Sequence, residues 1–407
     1  MPPSARSVGL LLALGLAGCP PREPTLPEAI DPSPADAGAE AGPVAGPDAL
    51  GWQTRTASPE PSRATGLARE LTLACGRADA SLDRVAERLL ARETSGAGPA
   101  DPTELAFELR VQGSPHVWPR SWSYAGPSLD PADTRGRAER WLASFRDGGT
   151  RVCGAAHAKS ADREGVVLVA VDALADLEAV PTRARPGQWL DVTAHLLVPA
   201  REAKVVVLGP RGAPHAIPTT LDSGVVRARF APTSAGSFLL QVLADVDKGP
   251  RPVLEAYVFA DQSPPARHAD SPAPGEDAGQ GQTDAADALF AMLNAARRAE
   301  GARSLARNAD LDRAARVHAE AMREKQTLGH DVGKGSVKER LEALGLSPVA
   351  FGENVARATT TARAHRAIWA SPSHRGNLLE PRYDHVGVAA VSGPEGVWVT
   401  EVFAQMR

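Results

Sequence analysis

Cysteine is scarce in this chain: 407 residues contain three, which leaves no two-pair cysteine set for a structural zinc site. A basic excess is missing as well. Lys and Arg number 45 against 49 Asp and Glu, a net charge of -4, so there is no electrostatic footprint for nucleic acid. No apolar run is long enough to cross a bilayer as a lasting helix. The His-Glu-x-x-His, Gly-x-Ser-x-Gly and EF-hand signatures are also lacking. The stretch from Gly329 to Gly333-Lys334-Gly335-Ser336 is one residue short of a phosphate loop and follows no strand.

What is present begins at the N-terminus. Arg6 precedes the apolar run Val8 to Leu16, which has the length and flanks of a signal-peptide core, so residues 1–18 are read as a signal peptide. Leu16-Ala17-Gly18-Cys19 resembles a bacterial lipobox, which implies cleavage before Cys19, its acylation and membrane anchoring. The plain alternative is ordinary secretion. Cys75 and Cys153 then remain as a pair in an exported protein, which favours one disulfide over two buried thiols.

Chemistry-bearing residues gather near the C-terminus. Gly329-His330, Gly352-Glu353-Asn354 and Trp369-Ala370-Ser371-Pro372-Ser373-His374-Arg375 place two histidines and a glutamate on turn-like sequence between helical stripes. Around them stand Asn294-Ala295-Ala296-Arg297, Leu305, Leu311, Arg340-Leu341, His385-Val386-Gly387-Val388 and Thr400-Glu401-Val402-Phe403. With these flanks, residues 285–407 resemble the bacterial branch of the CAP superfamily, the cysteine-rich secretory protein, antigen 5 and pathogenesis-related-1 group with SCP-like extracellular domains. The resemblance implies an α-β-α sandwich whose cleft gathers His330, Glu353 and His374. Many relatives add a second glutamate just after the tryptophan matched by Trp369, where this chain reads Ala370-Ser371-Pro372. Glu401 is the substitute candidate, against an ordinary role as a strand residue at the sheet edge. His330, His374 and Glu353 with a water make a reasonable three-ligand site for a divalent metal such as zinc. His330 reads equally well as a helix-end cation, Glu353 as an arginine partner and His374 as a helix cap, whereas His318 lies on an apolar helix stripe and reads as a core histidine.

The remaining segments support this unit. Residues 19–62 are rich in Pro, Ala and Gly and read as a disordered tether. Residues 63–178 read as an α+β domain: Leu71, Ala78, Leu82, Val85 and Leu89 form a helical stripe, Leu105, Phe107, Leu109 and Val111 alternate as in a strand, and Val166 to Val171 is a buried strand. Its helix-with-Trp, then Cys153-Gly154, then strand order echoes the C-terminal order, so a degenerate CAP-like copy lacking the cleft residues is one reading. Residues 179–260 show period-two runs broken by Gly, Pro and Asp, as in a small antiparallel Ig-like β-sandwich, with His195 on a polar face. Residues 261–284 read as a linker.

The expected product is a multidomain lipoprotein of the bacterial cell envelope, exported and held at the membrane through Cys19. Its cleft is expected to bind a lipid, glycan, peptide or envelope protein, with a divalent metal involved or not. A metal-dependent hydrolase using Glu353 as general base and a structural envelope scaffold with a vestigial cleft are the alternatives. The absence of an obvious nucleophile favours binding over catalysis.

Overall fold

A computed structural model describes residues 51–95, 100–145, 148–247, 249–269, 271–394 and 396–406. The signal peptide, Cys19 and the first part of the tether lie outside the described residues.

The end of the expected tether is packed. Arg55–Thr56 is a short strand antiparallel to Val180–Pro181. Trp52 is buried edge-on against Phe107 and Phe259, with ring centroids 5.6 and 5.0 Å away, and its indole N–H donates to the Pro265 carbonyl at 3.0 Å. A ring buried with its polar atom satisfied is an anchor, so residues 51–62 do not behave as the composition suggests. Within 261–284 the same correction holds. Ala273 is buried, Glu276–Gly279 forms a 3-10 turn, and Glu276 pairs with Arg366. Partners from neighbouring units outweigh a polar, Pro-rich sequence.

In the N-terminal unit, helices α1 (Gly66–Thr72), α2 (Ala80–Thr94), α3 (Pro102–Val111) and α4 (Pro131–Leu142) accompany a four-stranded sheet. Its order is Arg77–Ala78, Thr150–Lys159, Glu164–Ala173, Arg120–Gly126. The strand expected at Leu105 to Val111 is α3. Asp101 caps it by accepting from the Thr103 and Glu104 N–H groups, Pro102 starts it, and buried Leu105 and Leu109 satisfy an i,i+4 face as well as an alternating one. Cys75 and Cys153 are joined in a disulfide, their Cα atoms 6.1 Å apart.

The next unit is built of strands. A five-stranded and a four-stranded sheet share one apolar core that includes Val192, Ala194, Val205, Val226, Phe238 and Val242. It begins earlier than residue 179, because Ala175–Leu177 pairs with Leu190–Leu196. Asp191 and His195 are exposed where Leu190, Val192 and Ala194 are buried, as period-two spacing requires.

In the C-terminal unit, α5 (Ala285–Ala299), α6 (Ala309–Lys325), α7 (Val337–Ala343), α8 (Thr361–Ala370) and α9 (Pro372–Leu379) flank a sheet ordered Ala306–Arg307, His385–Gly393, Gly396–Gln405, Ala350–Ala358. Val386, Val388, Val399 and Phe403 cluster with Leu289 and Leu293 of α5 and Ile368 of α8. Ala389, Val402 and Ala404 cluster with Leu311 and Ala315 of α6 and Leu341 of α7. The sheet is thus covered on both faces. Gly396–Gln405 is an interior strand, so Glu401 is not at the sheet edge.

The two four-stranded sheets share more than their order. In each, a two-residue strand pairs in parallel with a long one, Ala78 with Cys153 and Arg307 with Val386. Each short strand then runs into a capped helix, through Asp79 into α2 and through Asn308 into α6. The helix then presses on the long strand at a glycine. A Cβ on Gly154 would meet Leu82 C and Asp83 N at 2.1 Å, and one on Gly387 would meet Leu311 C at 2.0 Å and Asp312 N at 2.3 Å. Beside each glycine a carboxylate accepts the next strand amide, Asp83 from Ala155 at 3.0 Å and Asp312 from Val388 at 2.7 Å. Because backbone rather than a flexible side chain fills that space, Gly387→Ala and Gly154→Ala are each expected to lose about 2 kcal/mol or more. Urea denaturation checks this, and changes within roughly 0.5 kcal/mol would refute the close approach.

Candidate functional site

The site forms where α6 ends and the outer strand Ala350–Ala358 begins. α6 stops at Lys325, and Gln326 closes it in the left-handed conformation (φ 49°). His330 therefore lies beyond the helix end, in the turn that follows, and the helix-end reading is corrected. Ser336 and Glu339 form a reciprocal capping box that starts α7 and fixes Arg340 in its first turn. Arg340 donates from Nη1 to the His330 and Gly335 carbonyls, both at 2.8 Å, and from Nη2 to Glu353 Oε2.

Glu353 is the centre of the cluster, with its side chain 1% exposed. Its Oε1 accepts from His330 Nδ1 at 2.9 Å, and His318 Nε2 lies 3.7 Å from the same oxygen. An ionised carboxylate can only accept, so the Nδ1 of His330 carries the proton. His318 is fully buried and its Nε2 makes a 2.8 Å bond with the Gly329 carbonyl. It is both a core histidine and a neighbour of the site. His330 alone among these side chains reaches solvent appreciably, at 33% exposure.

Behind the cluster lies an amide network. Asn377 of α9 donates from Nδ2 to the Glu353 carbonyl at 3.1 Å and to Asn354 Oδ1 at 3.0 Å. Asn354 donates to the His374 carbonyl at 3.1 Å and to Glu401 Oε2 at 3.0 Å. Gly352 is required by this closeness, because a Cβ there would meet the Tyr383 hydroxyl at 2.5 Å and Asn377 Oδ1 at 2.9 Å. The Gly-Glu-Asn run was legible in sequence, whereas the contacts of Asn377, which stands just past Arg375 in the same motif, depend on a strand distant in the chain.

Charges settle accordingly. Burial alone would raise the Glu353 carboxyl, but the His330 hydrogen bond and the His318 and Arg340 charges outweigh it and hold it below its ordinary value. Burial lowers His318. Burial, and then the charge of His330, pushes His374 down to about 4. Glu401 moves the other way, raised by burial to about 7 and only partly relieved by Asn354, while its Oε1 is buried with no hydrogen-bond partner among the described residues.

Of the four candidates, His330 and Glu353 are therefore in contact. His374 is tied to them through the Asn354 and Asn377 amides. Glu401 pairs across strands with Asn354, one residue on from Glu353 and so on the opposite sheet face. The expected metal set of His330, His374 and Glu353 is not assembled: no three His, Cys, Asp or Glu among the described residues could hold a metal ion. Glu353 has one oxygen on an imidazole N–H and the other on a guanidinium, so its charge is already matched and the donor set fits a divalent ion poorly.

Because the folded-state value of Glu401 lies above its ordinary 4.5, the folded chain binds a proton that the unfolded chain releases between pH 4.5 and about 7. That stability is present below 4.5 and lost as pH rises through about 7. Glu401→Gln, neutral throughout, is expected to be more stable than wild type at pH 8 by about 3 kcal/mol, and equal stability at pH 5 and 8 in both proteins would overturn it.

A family model described as CAP, the cysteine-rich secretory protein family, matches residues 290–403. The Uncharacterized protein YkwD of Bacillus subtilis (strain 168) is 29% identical over 112 residues, which are 27% of this chain and 43% of that protein. This chain thus spans under half the length of that relative. Among solved structures, an outer surface protein from Borrelia burgdorferi is 19% identical, with 29% of this chain and 90% of its own covered at a TM-score of 0.28. An extracellular protein containing a SCP domain from Bacillus anthracis str. Ames is 16% identical, with 57% and 86% covered at a TM-score of 0.28.

Proposed function

We propose, from the match of residues 290–403 to the CAP family model, that the cleft is a recognition site in which His330 meets a polar group of a lipid, glycan or peptide ligand. The observation that carries this is the state of Glu353. A general base needs a free lone pair and a pKa near the working pH. Glu353 has each oxygen on a donor, a side chain 1% exposed that keeps its remaining lone pairs from a substrate, and a lowered pKa, so it serves as a fixed charge that orients His330. Among the described residues no hydroxyl or thiol is hydrogen-bonded to His330 or His374, which removes support from a nucleophilic hydrolase. With Nδ1 committed, His330 offers Nε2 to a ligand, as an acceptor when neutral and a donor when protonated.

Two further assignments belong to the same reading. The protein is exported and anchored through acylated Cys19. No helix among the described residues is long and apolar enough to cross a membrane. Residues 63–173 are a second CAP-like copy without cleft chemistry, joined through an immunoglobulin-like middle unit. Strand order and the paired glycines support the copy, and register aligns the positions. Through Gly154 and Gly387, Ser121 takes the place of Glu353, Trp122 that of Asn354 and Leu168 that of Glu401, while counting from the helix caps puts Leu89 where His318 stands. The residues there, Leu89, Ser121, Ser123 and Val167 among them, line a cavity of about 80 Å³ with none of the imidazole–carboxylate pairing.

The test uses the full mature chain against palmitate, N-acetylglucosamine oligomers and short envelope peptides, read by melting temperature and NMR shifts. At least one probe is expected to raise the melting temperature of wild type and not of His330→Ala. Probe turnover abolished by Glu353→Gln would replace this reading with the hydrolase. Zinc is expected to leave the melting temperature unchanged, and a zinc shift lost in His330→Ala would restore the metal. Cys19→Ala is expected to move the protein from the membrane fraction to the soluble one, and unchanged fractionation would remove the anchor.

A further inference from the structure

α9, which carries His374, starts without a cap of its own. Its N-cap residue Ser371 makes no side-chain capping bond, and Pro372 has no N–H to offer. Arg375 N–H closes the first helical bond onto the Ser371 carbonyl at 2.8 Å, which leaves the Ser373 amide as a free donor in the first turn. That amide is accepted from another unit: Gln241 Oε1, on the strand Gly236–Val246 of the middle unit, lies 3.1 Å from Ser373 N. Gln241 is itself fully buried. Its orientation is forced, because its Nε2 donates to Glu255 Oε1 of the paired strand at 2.8 Å, and Glu255 Oε2 accepts from Arg110 of α3 at 3.0 Å. Arg110 in turn donates to the Ser114 and His116 carbonyls, at 2.7 and 2.8 Å. A chain of hydrogen bonds, charge-assisted at Glu255, therefore runs from α3 of the N-terminal unit, across two strands of the middle unit, to the first turn of the helix that carries His374.

We propose that Gln241 is a positioning residue for the cleft: it caps α9 from outside the CAP domain, so the middle unit sets where His374 stands. An N-cap acceptor normally comes from the residue before the helix, and here the side chain of a different unit takes that role. The cap is also rigid, since Gln241 is fully buried and cannot turn away without breaking its bond to the half-buried Glu255 carboxylate. This holds whether or not the cleft binds the ligands named above, because it concerns the placement of α9 alone.

The experiment compares the full chain with Gln241→Met, which keeps the length and removes the acceptor, and with Gln241→Glu, which keeps an acceptor for Ser373 and, because two carboxyl groups sharing a site hold one proton between them, keeps a donor to Glu255 as well. Amide hydrogen exchange over 371–379 and carbethoxylation of His374 by diethylpyrocarbonate are followed together. In Gln241→Met, exchange at α9 and modification of His374 are expected to speed up roughly five- to tenfold, the effect of one lost cap, while α5 and α6 exchange as in wild type. In Gln241→Glu both rates at α9 are expected to return towards wild type. Faster exchange across the whole chain in Gln241→Met, or faster exchange confined to strands Gly236–Val246 and Gly249–Ala260 with α9 and His374 unchanged, would overturn the proposal. Should Gln241→Met not fold, Gln241→Glu decides alone: a loosened α9 there shows that the acceptor is not what holds the helix.

Discussion

A carboxylate removed from water must find partners for its charge, and Glu353 finds them in Arg340 and His330 from a neighbouring turn and helix. That need organises the C-terminal unit. The capping box of α7 presents Arg340, the left-handed close of α6 brings the chain round to His330, and Gly352 lets Asn377 approach the strand that carries Glu353. Removing Arg340 would take away the guanidinium that matches this charge, in a place with no solvent to replace it. The arrangement is therefore stable as an ion-paired unit, with one imidazole left at the surface.

The two carboxylates of the region show how local environment separates like groups. Glu353 is surrounded by donors and stays ionised, whereas Glu401, one strand away on the other sheet face, has a single amide donor and is raised to about 7. Sequence placed both among the cleft candidates because each follows a recognisable pattern. Only the pleat, which alternates side chains between faces, tells them apart.

What could be read from sequence was read where a local rule acts alone. The period-two burial of Leu190 to Ala194 and the Cys75–Cys153 bond follow from neighbours in the chain or from a count. Misreadings arose where distant partners decide. Leu105 to Val111 is the local exception: it suits a strand or a helix equally, and Asp101 with Pro102, next to it in the chain, tips it to α3. Trp52 and Ala273 sit in sequence that looks unstructured until the units they bury against are in place. The contact of Gln241 with Ser373 spans 132 positions, and no local pattern announces it.

The seat of Trp52 has a mechanical meaning. Its ring is lodged among Phe107, Tyr257 and Phe259, and its N–H is fastened to Pro265, so parts of the N-terminal unit, the middle unit and the segment after it meet at one indole. Tension arriving along the backbone from its N-terminal side would be resisted at that joint, and by the Arg55–Thr56 pairing beside it, before it reached the helices that hold the cleft. The cluster around Glu353 is thereby set apart from a load applied to the chain at Trp52.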